Sequence, residues 1–351
     1  MFDSYKIVVN TAAGRRRYMQ YLVPQVLACN IVDRYDLWIN TMNSQDIEFF
    51  RQIAQKYPKV NLIWQPDGIV DGNKSINVFY KQCMDENTIY FKLDDDIIWM
   101  EDDLIEKMVR FRIKNPDYFL VSPIVINNSL STYLLQVHNK IKLYDYQSAS
   151  STHPLLWESG KFAYDLHSWF LRNYLETERC SELHIGGVKP MGLTRFSINA
   201  IMWFGTEMKK MHGDVPGDDE EYLSCIYPAK NGLANAWNGD SLCVHFAFFT
   251  QRERLDSEDI LGQYGKILER RWKENEQISH IYADLKNIML YVDEHKNSLP
   301  PAPYKKPVVN APSRKVGLSI QIKLLLIKVL PSFLIDRIEK RNDDKRCYIT
   351  D

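Results

Sequence analysis

Three consecutive carboxylates, Asp94, Asp95 and Asp96, directly follow the apolar run Ile89–Leu93. Carboxylates this close repel one another, and burial would force some of them to bind a proton unless a cation lies among them. The cations that suit such oxygen ligands are Mg²⁺ and Mn²⁺, which complete their coordination with water and substrate phosphates. In an extended segment Asp94 and Asp96 lie on one face. This D-x-D pattern after a buried-type strand predicts a metal site, whereas an acidic triplet alone is more often a solvated turn.

Two further polar groups follow apolar runs nearer the N-terminus. Asn10–Arg17 combines small residues, which let the backbone approach a ligand, with arginines that suit phosphate oxygens, and Arg15 is expected to point inward. In the second group, the carboxylate of Asp67 could accept hydrogen bonds from a base or ribose, while Lys74 and Asn77, three residues apart, would share a helix face. The alternatives are a solvated basic turn for the first group and ordinary turn and capping chemistry for the second.

An acidic turn, Gly217–Ser224, opens a predicted helix far downstream of the triplet. One of its carboxylates could act as a general base, although acids also stabilise a helix N-terminus without any catalytic role. His245 lies in the apolar run Leu242–Phe249, where it is either a metal ligand or a satisfied core residue. The sequence contains no nucleophile elbow, no Walker lysine motif and no G-x-G-x-x-G pattern.

The spacing of the apolar runs predicts the elements that position these residues. Short runs begin near residues 5, 36, 60, 89 and 118, which are 24 to 31 residues apart, and helical patterns lie between them, one ending near Glu86. Repeated βαβ units of this length form a parallel sheet with helices on both faces. Because the ligands of such sheets bind beyond the carboxyl ends of the strands, the chemistry is expected there.

The composition excludes several classes of protein. The chain has 351 residues, of which 45% are hydrophobic and 25% charged, so neither a disordered nor a collagen-like protein fits. Its formal net charge of −1 argues against a nucleic-acid binder. The charge is unevenly distributed, because residues 305–346 carry 11 basic and 4 acidic side chains, a net +7, which leaves −8 for the rest. Such segregation is typical of an interaction tail.

The cysteines and the N-terminus indicate the cellular compartment. The six cysteines are widely spaced, without a pair at zinc-binding separation, and free thiols of this kind are typical of the reducing cytoplasm. The first ten residues, with an acid at Asp3, lack the pattern of a signal peptide. The sequence contains no uncharged apolar stretch of about 18 residues, so it predicts no membrane-spanning helix. We therefore expect a cytoplasmic protein.

Three features together resemble the glycosyltransferases of the GT-A fold, especially bacterial polysaccharide and lipopolysaccharide transferases. They are Ile89–Asp96 (IYFKLDDD), Gly217–Ser224 (GDDEEYLS) and the late His245. The resemblance covers roughly residues 6–249 and implies a Rossmann-like α/β fold with a mostly parallel central sheet. It also implies an activity: transfer of a sugar from a nucleotide-diphosphate donor to a glycan or lipid-linked glycan acceptor in cell-surface polysaccharide synthesis.

The resemblance implies a role for each matching residue. Asp96 and His245 would hold Mn²⁺ or Mg²⁺ against the diphosphate of the sugar nucleotide, and Asp94 would join them or contact the ribose or sugar. Asp219 would be the general base, with Asp218 and Glu220 as alternatives, because the motif here reads Asp-Asp where the family has Glu-Asp. The donor would be bound by Thr11, Arg15, Asp67, Lys74, Asn77, Asp94 and Asp95.

The implied division of the chain has five parts. Residues 1–126 would form the nucleotide-sugar-binding half and 127–250 the acceptor-side half of one catalytic domain. A helical extension at 251–298, a proline-rich linker at 299–313 and a basic, apolar helical tail at 314–351 would follow. The tail could anchor the protein peripherally on an anionic membrane surface, or it could pack on the protein's own body or a partner, since its polar residues form two stripes and Pro331 interrupts it.

We therefore expect a cytoplasmic, metal-dependent glycosyltransferase that lies peripherally on the inner face of the membrane. A nucleotidyltransferase is the alternative enzyme, because it also combines carboxylates, a metal and βαβ units. A sugar-nucleotide-binding or cation-binding protein without catalytic activity is the alternative outside the enzymes. Release of nucleoside diphosphate from a sugar nucleotide, or of pyrophosphate from a nucleoside triphosphate, distinguishes the two enzymes.

Overall fold

The computed structural model describes residues 1–306 and 348–350, and a large sheet dominates this part of the chain. Its strands are β1 (Lys6–Ala13), β2 (Arg34–Ile39), β3 (Val60–Trp64), β4 (Thr88–Leu93), β5 (Ile97–Met100), β6 (Val121–Ile126), β7 (Lys142–Leu143), β8 (Val188–Met191), β9 (Ala200–Phe204), β10 (Asn235–His245) and β11 (Ile349–Thr350). Nine of these form one sheet in the order β3-β2-β1-β4-β9-β6-β10-β5, with β8 paired to β10.

The predicted α/β fold with a largely parallel sheet is confirmed, but one half of the sheet is mixed. Strands β3, β2, β1 and β4 are parallel neighbours, as the βαβ spacing predicts. The fifth expected strand, β6, does not lie beside β4, because β9 inserts between them and runs antiparallel to both. All five residues of β9 are buried apolar residues, and an apolar run of this kind does not reveal its neighbours in the sequence.

Helices cover both faces of the sheet. They are α1 (Arg16–Leu27), α2 (Ser44–Lys56), α3 (Leu104–Lys114), α4 (Ser129–Val137), α5 (Pro154–Glu158), α6 (Gly160–Phe170), α7 (Gly205–Lys210), α8 (Asp219–Glu221), α9 (Tyr227–Asn231), α10 (Arg252–Ser257), α11 (Ile260–Trp272) and α12 (Glu276–Glu294). Buried side chains of α2 and α3 share one core, and those of α4 and α6 share the other. The alternating side chains of β1 divide between these two cores, as a two-sided buried strand requires.

The helix expected to end near Glu86 is instead two 3₁₀ helices, Gly72–Ser75 and Asn77–Gln82. The side chain of Ser75 bonds locally, accepting from the Asp71 N–H at 2.9 Å and donating to the Gly72 carbonyl at 2.9 Å. Such side-chain bonds to nearby backbone compete with α-helical hydrogen bonds. The segment therefore stays tightly wound beside the carboxyl edge of the sheet.

The C-terminal part of the described chain is docked at two points. The Tyr304 hydroxyl donates to the Ile39 carbonyl at 3.0 Å, so the start of the proline-rich segment is fixed against β2. Strand β11 pairs antiparallel with β7, and the preceding Tyr348 is buried against Phe162. Most of the tail expected at 314–351 lies outside the described residues. Within residues 1–306 and 348–350, no helix has both the length and the apolar character that crossing a bilayer demands.

Burial of His167 in α6 predicts that stability falls in mild acid. Its ring nitrogens lie 2.9 Å from the Tyr264 hydroxyl and 2.8 Å from the Phe246 carbonyl, and burial lowers the pKa of His167 to about 4. An unfolded histidine titrates near pH 6.5. Between those values only the unfolded chain binds the proton, so stability falls as the pH falls, by about 3 kcal/mol in total.

Urea unfolding of the wild type and of His167→Gln at several pH values between 7.5 and 4.5 measures this effect. The variant is expected to have a lower free energy of unfolding at pH 7.5. Its free energy of unfolding should also depend less steeply on pH, because up to one proton fewer is bound when the chain unfolds. Equal slopes for the two proteins would contradict the assignment.

Candidate functional site

A cleft of about 770 Å³ opens at the carboxyl ends of β1, β4 and β10. Most of the residues singled out in the sequence line it: Arg15, Lys74, Asp94, Asp95, Asp96, Asp218, Asp219, Glu220 and His245. The other three, Thr11, Asp67 and Asn77, do not line it. The cleft therefore brings together the acidic triplet, the acidic turn and the late histidine, which lie far apart in the sequence.

Asp94, Asp96 and His245 form a potential metal-binding group, with one ligand atom of each within 4.8 Å of the others. Asp96 and His245 are buried and Asp94 is half-buried. The backbone positions them, because the turn after β4 ends where the Phe246 N–H donates to the Asp96 carbonyl at 2.8 Å. This bond fixes the acidic triplet beside the end of β10.

The surroundings of His245 bear on whether a cation fits. Nδ1 lies 3.2 Å from the Asn127 carbonyl oxygen, which can only accept, so Nδ1 carries a proton. Nε2, the other ring nitrogen, faces Asp96 Oδ1 at 3.5 Å, and when Nε2 carries no proton its lone pair points at that oxygen. Two facing lone pairs need a proton or a cation between them. A carbonyl that orients a histidine in this way is also the usual outer partner of a metal ligand, so the group fits a divalent ion.

Arg15 links the turn after β1 to the acidic triplet. Its Nε donates to Asp95 Oδ2 at 3.0 Å and its Nη2 to Asp96 Oδ2 at 2.9 Å, with a further short bond to Asp95. The Gly14 N–H also donates to Asp95, at 3.1 Å. Burial by itself would raise the pKa of Asp96, but the positive charge of Arg15 opposes it most strongly, and the pKa is lowered. Asp96 is therefore held as a carboxylate, the form that binds a metal.

Lys92 and Asn199 hold the remaining carboxylate, and neither is apparent from the sequence motifs. The Lys92 ammonium, on a side chain that is 3% exposed, donates to Asp94 Oδ1 and to the Ile198 carbonyl at 3.0 Å. Asn199 Nδ2 donates to Asp94 Oδ2 at 3.0 Å. A lysine inside an apolar strand is the one sequence signal that could have identified Lys92, because a buried charge requires a partner.

Asp219 is the most enclosed carboxylate of the acidic turn. It accepts a hydrogen bond from the buried Tyr80 hydroxyl at 3.0 Å. Burial raises the pKa of Asp219, against the opposing charge of Lys92 and the hydrogen bond from Tyr80. A carboxylate with a raised pKa in a cleft has the properties of a general base.

The two neighbouring carboxylates both pair with Arg195. Its Nε donates to Glu220 at 2.8 Å and its Nη2 to Asp218 at 3.1 Å. Asp218 also caps the helix that follows, accepting from the Glu221 N–H at 3.1 Å. Asp219 also accepts a hydrogen bond, from the Glu220 N–H at 3.0 Å. Among the three acids named for the base, Asp218 and Glu220 thus pair with an arginine, whereas Asp219 forms no ion pair with any described residue.

The remaining donor-binding residues occupy other environments. The Thr11 hydroxyl is fully buried 3.1 Å from the Tyr35 hydroxyl, and Asp67 accepts from the Ile69 N–H of its own turn at 3.0 Å. Asn77 donates to the carbonyls of Val215 and Gly217, at 2.6 and 2.8 Å. Asn77 therefore supports the segment that leads into the acidic turn.

Comparison with known proteins gives structural similarity without sequence similarity. No family model and no curated protein matches the chain. Among solved structures, 4-diphosphocytidyl-2C-methyl-D-erythritol synthase from Anaerococcus prevotii is 11% identical, with a TM-score of 0.38 over 76% of this chain and 97% of that one. CMP:2-keto-3-deoxy-manno-octonic acid synthetase complexed with CTP is 12% identical, with a TM-score of 0.40 over 75% and 99%. Residues 1–349 of TarS from S. aureus are 9% identical, with a TM-score of 0.38 over 84% and 91%. These similarities assign no activity to the chain.

Proposed function

We propose that this protein is a metal-dependent glycosyltransferase that moves a sugar from a nucleotide-diphosphate donor to a glycan or lipid-linked glycan acceptor. The observation that carries the proposal is one cleft lined both by a potential metal-binding group and by a separate, half-buried carboxylate whose pKa is raised. Asp94, Asp96 and His245 form the first, and Asp219 is the second. Transfer from a sugar nucleotide needs these two functions, charge stabilisation at the leaving group and proton removal at the acceptor.

Asp94, Asp96 and His245 would hold the divalent ion. When bound, the ion stabilises the negative charge that develops on the leaving diphosphate. Two carboxylates together with an imidazole favour Mn²⁺ over Mg²⁺, because Mg²⁺ prefers an all-oxygen shell. Asn127, behind the histidine, and Lys92, behind Asp94, would keep the ligands in place.

Asp219 would act on the acceptor. In the proposed reaction the acceptor oxygen bonds to the anomeric carbon of the donor sugar while the bond from that carbon to the diphosphate oxygen breaks. The proton of the acceptor hydroxyl passes to a carboxylate oxygen of Asp219. Its raised pKa brings the base closer to the working pH, which favours proton transfer.

Incubation of the purified protein with a panel of sugar nucleotides and MnCl₂ tests the proposal. We expect at least one sugar nucleotide to release nucleoside diphosphate, slowly with water as acceptor and faster with a suitable glycan, and we expect EDTA to stop the release. Pyrophosphate release from a nucleoside triphosphate and a sugar phosphate would instead indicate a nucleotidyltransferase. A thermal shift with sugar nucleotides but no turnover would indicate a binding protein.

The placement at a membrane remains a prediction from the sequence. It rests on the basic, apolar character of residues 314–351, most of which lie outside the described residues. The lipid-linked class of acceptor rests on the resemblance of the sequence motifs to bacterial polysaccharide and lipopolysaccharide transferases.

A further inference from the structure

Two arginines of the cleft have buried N–H groups without an acceptor. Arg15 Nη1 and Arg252 Nε are both buried, and neither has a hydrogen-bond partner among the described residues. Both side chains line the cleft, although they are far apart in the sequence: Arg15 follows β1, and Arg252 begins α10. A buried donor that is left unpaired is unfavourable, so the two arginines indicate a ligand that supplies acceptors.

The charges around these arginines strengthen the inference. Arg15 already uses its other nitrogens on Asp95 and Asp96, whereas Arg252 forms no ion pair with any described residue, in contrast to Arg195, which pairs with the acidic turn. Burial lowers the pKa of Arg252 and the positive charge of Arg15 lowers it further, while the more weakly acting charges of Asp96 and Asp95 oppose this shift. Two guanidinium groups that repel each other inside a cleft are stabilised by an anion between them.

The number of charges identifies the class of anion. A single carboxylate brings only one negative charge to the two guanidinium groups. A diphosphate has several oxygens around two phosphorus atoms, so it can reach both arginines, and planar guanidinium groups bind phosphate oxygens in pairs. It can do so while its other oxygens face the metal-binding group.

We infer that Arg252 and Arg15 form a subsite for the diphosphate of the donor, in addition to the contact that a bound metal would make. This inference rests on the proposed function, since it concerns the same cleft and the same donor. The residue that this inference adds to the proposed donor site is Arg252, which begins α10 and follows β10 in the sequence. One consequence is that a nucleoside diphosphate binds this protein even when no divalent ion is available, though more weakly than with Mn²⁺.

Calorimetric titration of the purified full chain with ADP, CDP, GDP, UDP and inorganic pyrophosphate, in EDTA and in MnCl₂, tests the subsite. The variant is Arg252→Gln, and the control is Arg254→Gln, which removes a positive charge from the same helix outside the cleft, where Arg254 pairs with Glu258 at 3.1 Å. We expect at least one diphosphate to bind the wild type in EDTA. Arg252→Gln should weaken that binding about 10- to 100-fold, and Arg254→Gln should leave it unchanged.

A second measurement guards against misfolding of the variant. Without ligand, Arg252→Gln should melt at no lower a temperature than the wild type, because it removes a buried donor without an acceptor and breaks no ion pair with a described residue. Equal diphosphate affinity in Arg252→Gln and the wild type, or binding by the wild type only when Mn²⁺ is present, would overturn the subsite and leave the proposed function standing. Failure of the wild type to bind any diphosphate in either condition would overturn both.

Discussion

Replacing Asp96 with alanine or asparagine is expected to reduce sugar transfer by about 10³-fold or more and to leave the chain folded. Asp96 is 2% exposed, and its Oδ1 lies 3.5 Å from His245 Nε2, so it contributes a buried oxygen to the potential metal-binding group. A metal that stabilises developing charge contributes several kcal/mol to a transition state. A loss of about 4 kcal/mol corresponds to about 10³ in rate.

The fold should survive because the backbone and the neighbouring charges remain. The Phe246 N–H bonds to the Asp96 carbonyl oxygen, which neither substitution removes. Arg15 keeps its bonds to Asp95, so no guanidinium is left wholly unpaired. Asp96→Asn is the sharper variant, because it preserves the shape of the side chain and removes only its charge.

The measurement is the rate of nucleoside diphosphate release as a function of Mn²⁺ concentration, with the melting temperature recorded in parallel. Asp102→Ala, which removes an exposed carboxylate just after β5, is the matched control and should retain the wild-type rate. Wild-type activity and an unchanged Mn²⁺ dependence in Asp96→Asn would rule out the metal assignment.

The sequence was most informative where structure is local and periodic. The βαβ spacing predicted β1 to β4 and their parallel direction. At the start of α2 the Asn43 side chain accepts from the backbone N–H groups of Gln45 and Asp46, a local role that asparagine commonly has at a helix N-terminus. The D-x-D at the end of β4 could be located from pattern alone, because a strand that is buried on both faces is a continuous apolar run.

The parts that the sequence did not predict depend on pairings across long distances. The antiparallel insertion of β9 is one, since any apolar run could occupy that place. Arg195 and Arg252 are others, because one arginine pairs with three acids and the second with no described residue, and nothing in their own segments distinguishes them. The grouping of His245 with the triplet came from a family resemblance, since no local pattern connects residues that only the tertiary fold brings within 4.8 Å.

Asparagine in place of Asp219 is expected to lower the transfer rate by about 10²- to 10⁴-fold, the usual contribution of a general base, while donor binding stays close to wild type. The amide cannot accept the acceptor's proton, but it can still bond to the Tyr80 hydroxyl. Asp218→Asn and Glu220→Gln should have much smaller effects, because both carboxylates already accept hydrogen bonds from Arg195. A large loss in either of these, with activity retained in Asp219→Asn, would move the base assignment to that residue.

The pH profile separates a base from a merely structural carboxylate. Asp219 must be ionised to accept a proton, and burial raises its pKa, so the rate is expected to fall as the pH falls through that pKa. The hydrogen bond from Tyr80 lowers the pKa of Asp219. Tyr80→Phe should therefore move the acidic limb of the profile to higher pH while the rate on the alkaline plateau changes little. An acidic limb at the same pH in Tyr80→Phe and the wild type would mean that another group controls it, and Asp219 would then not be the base.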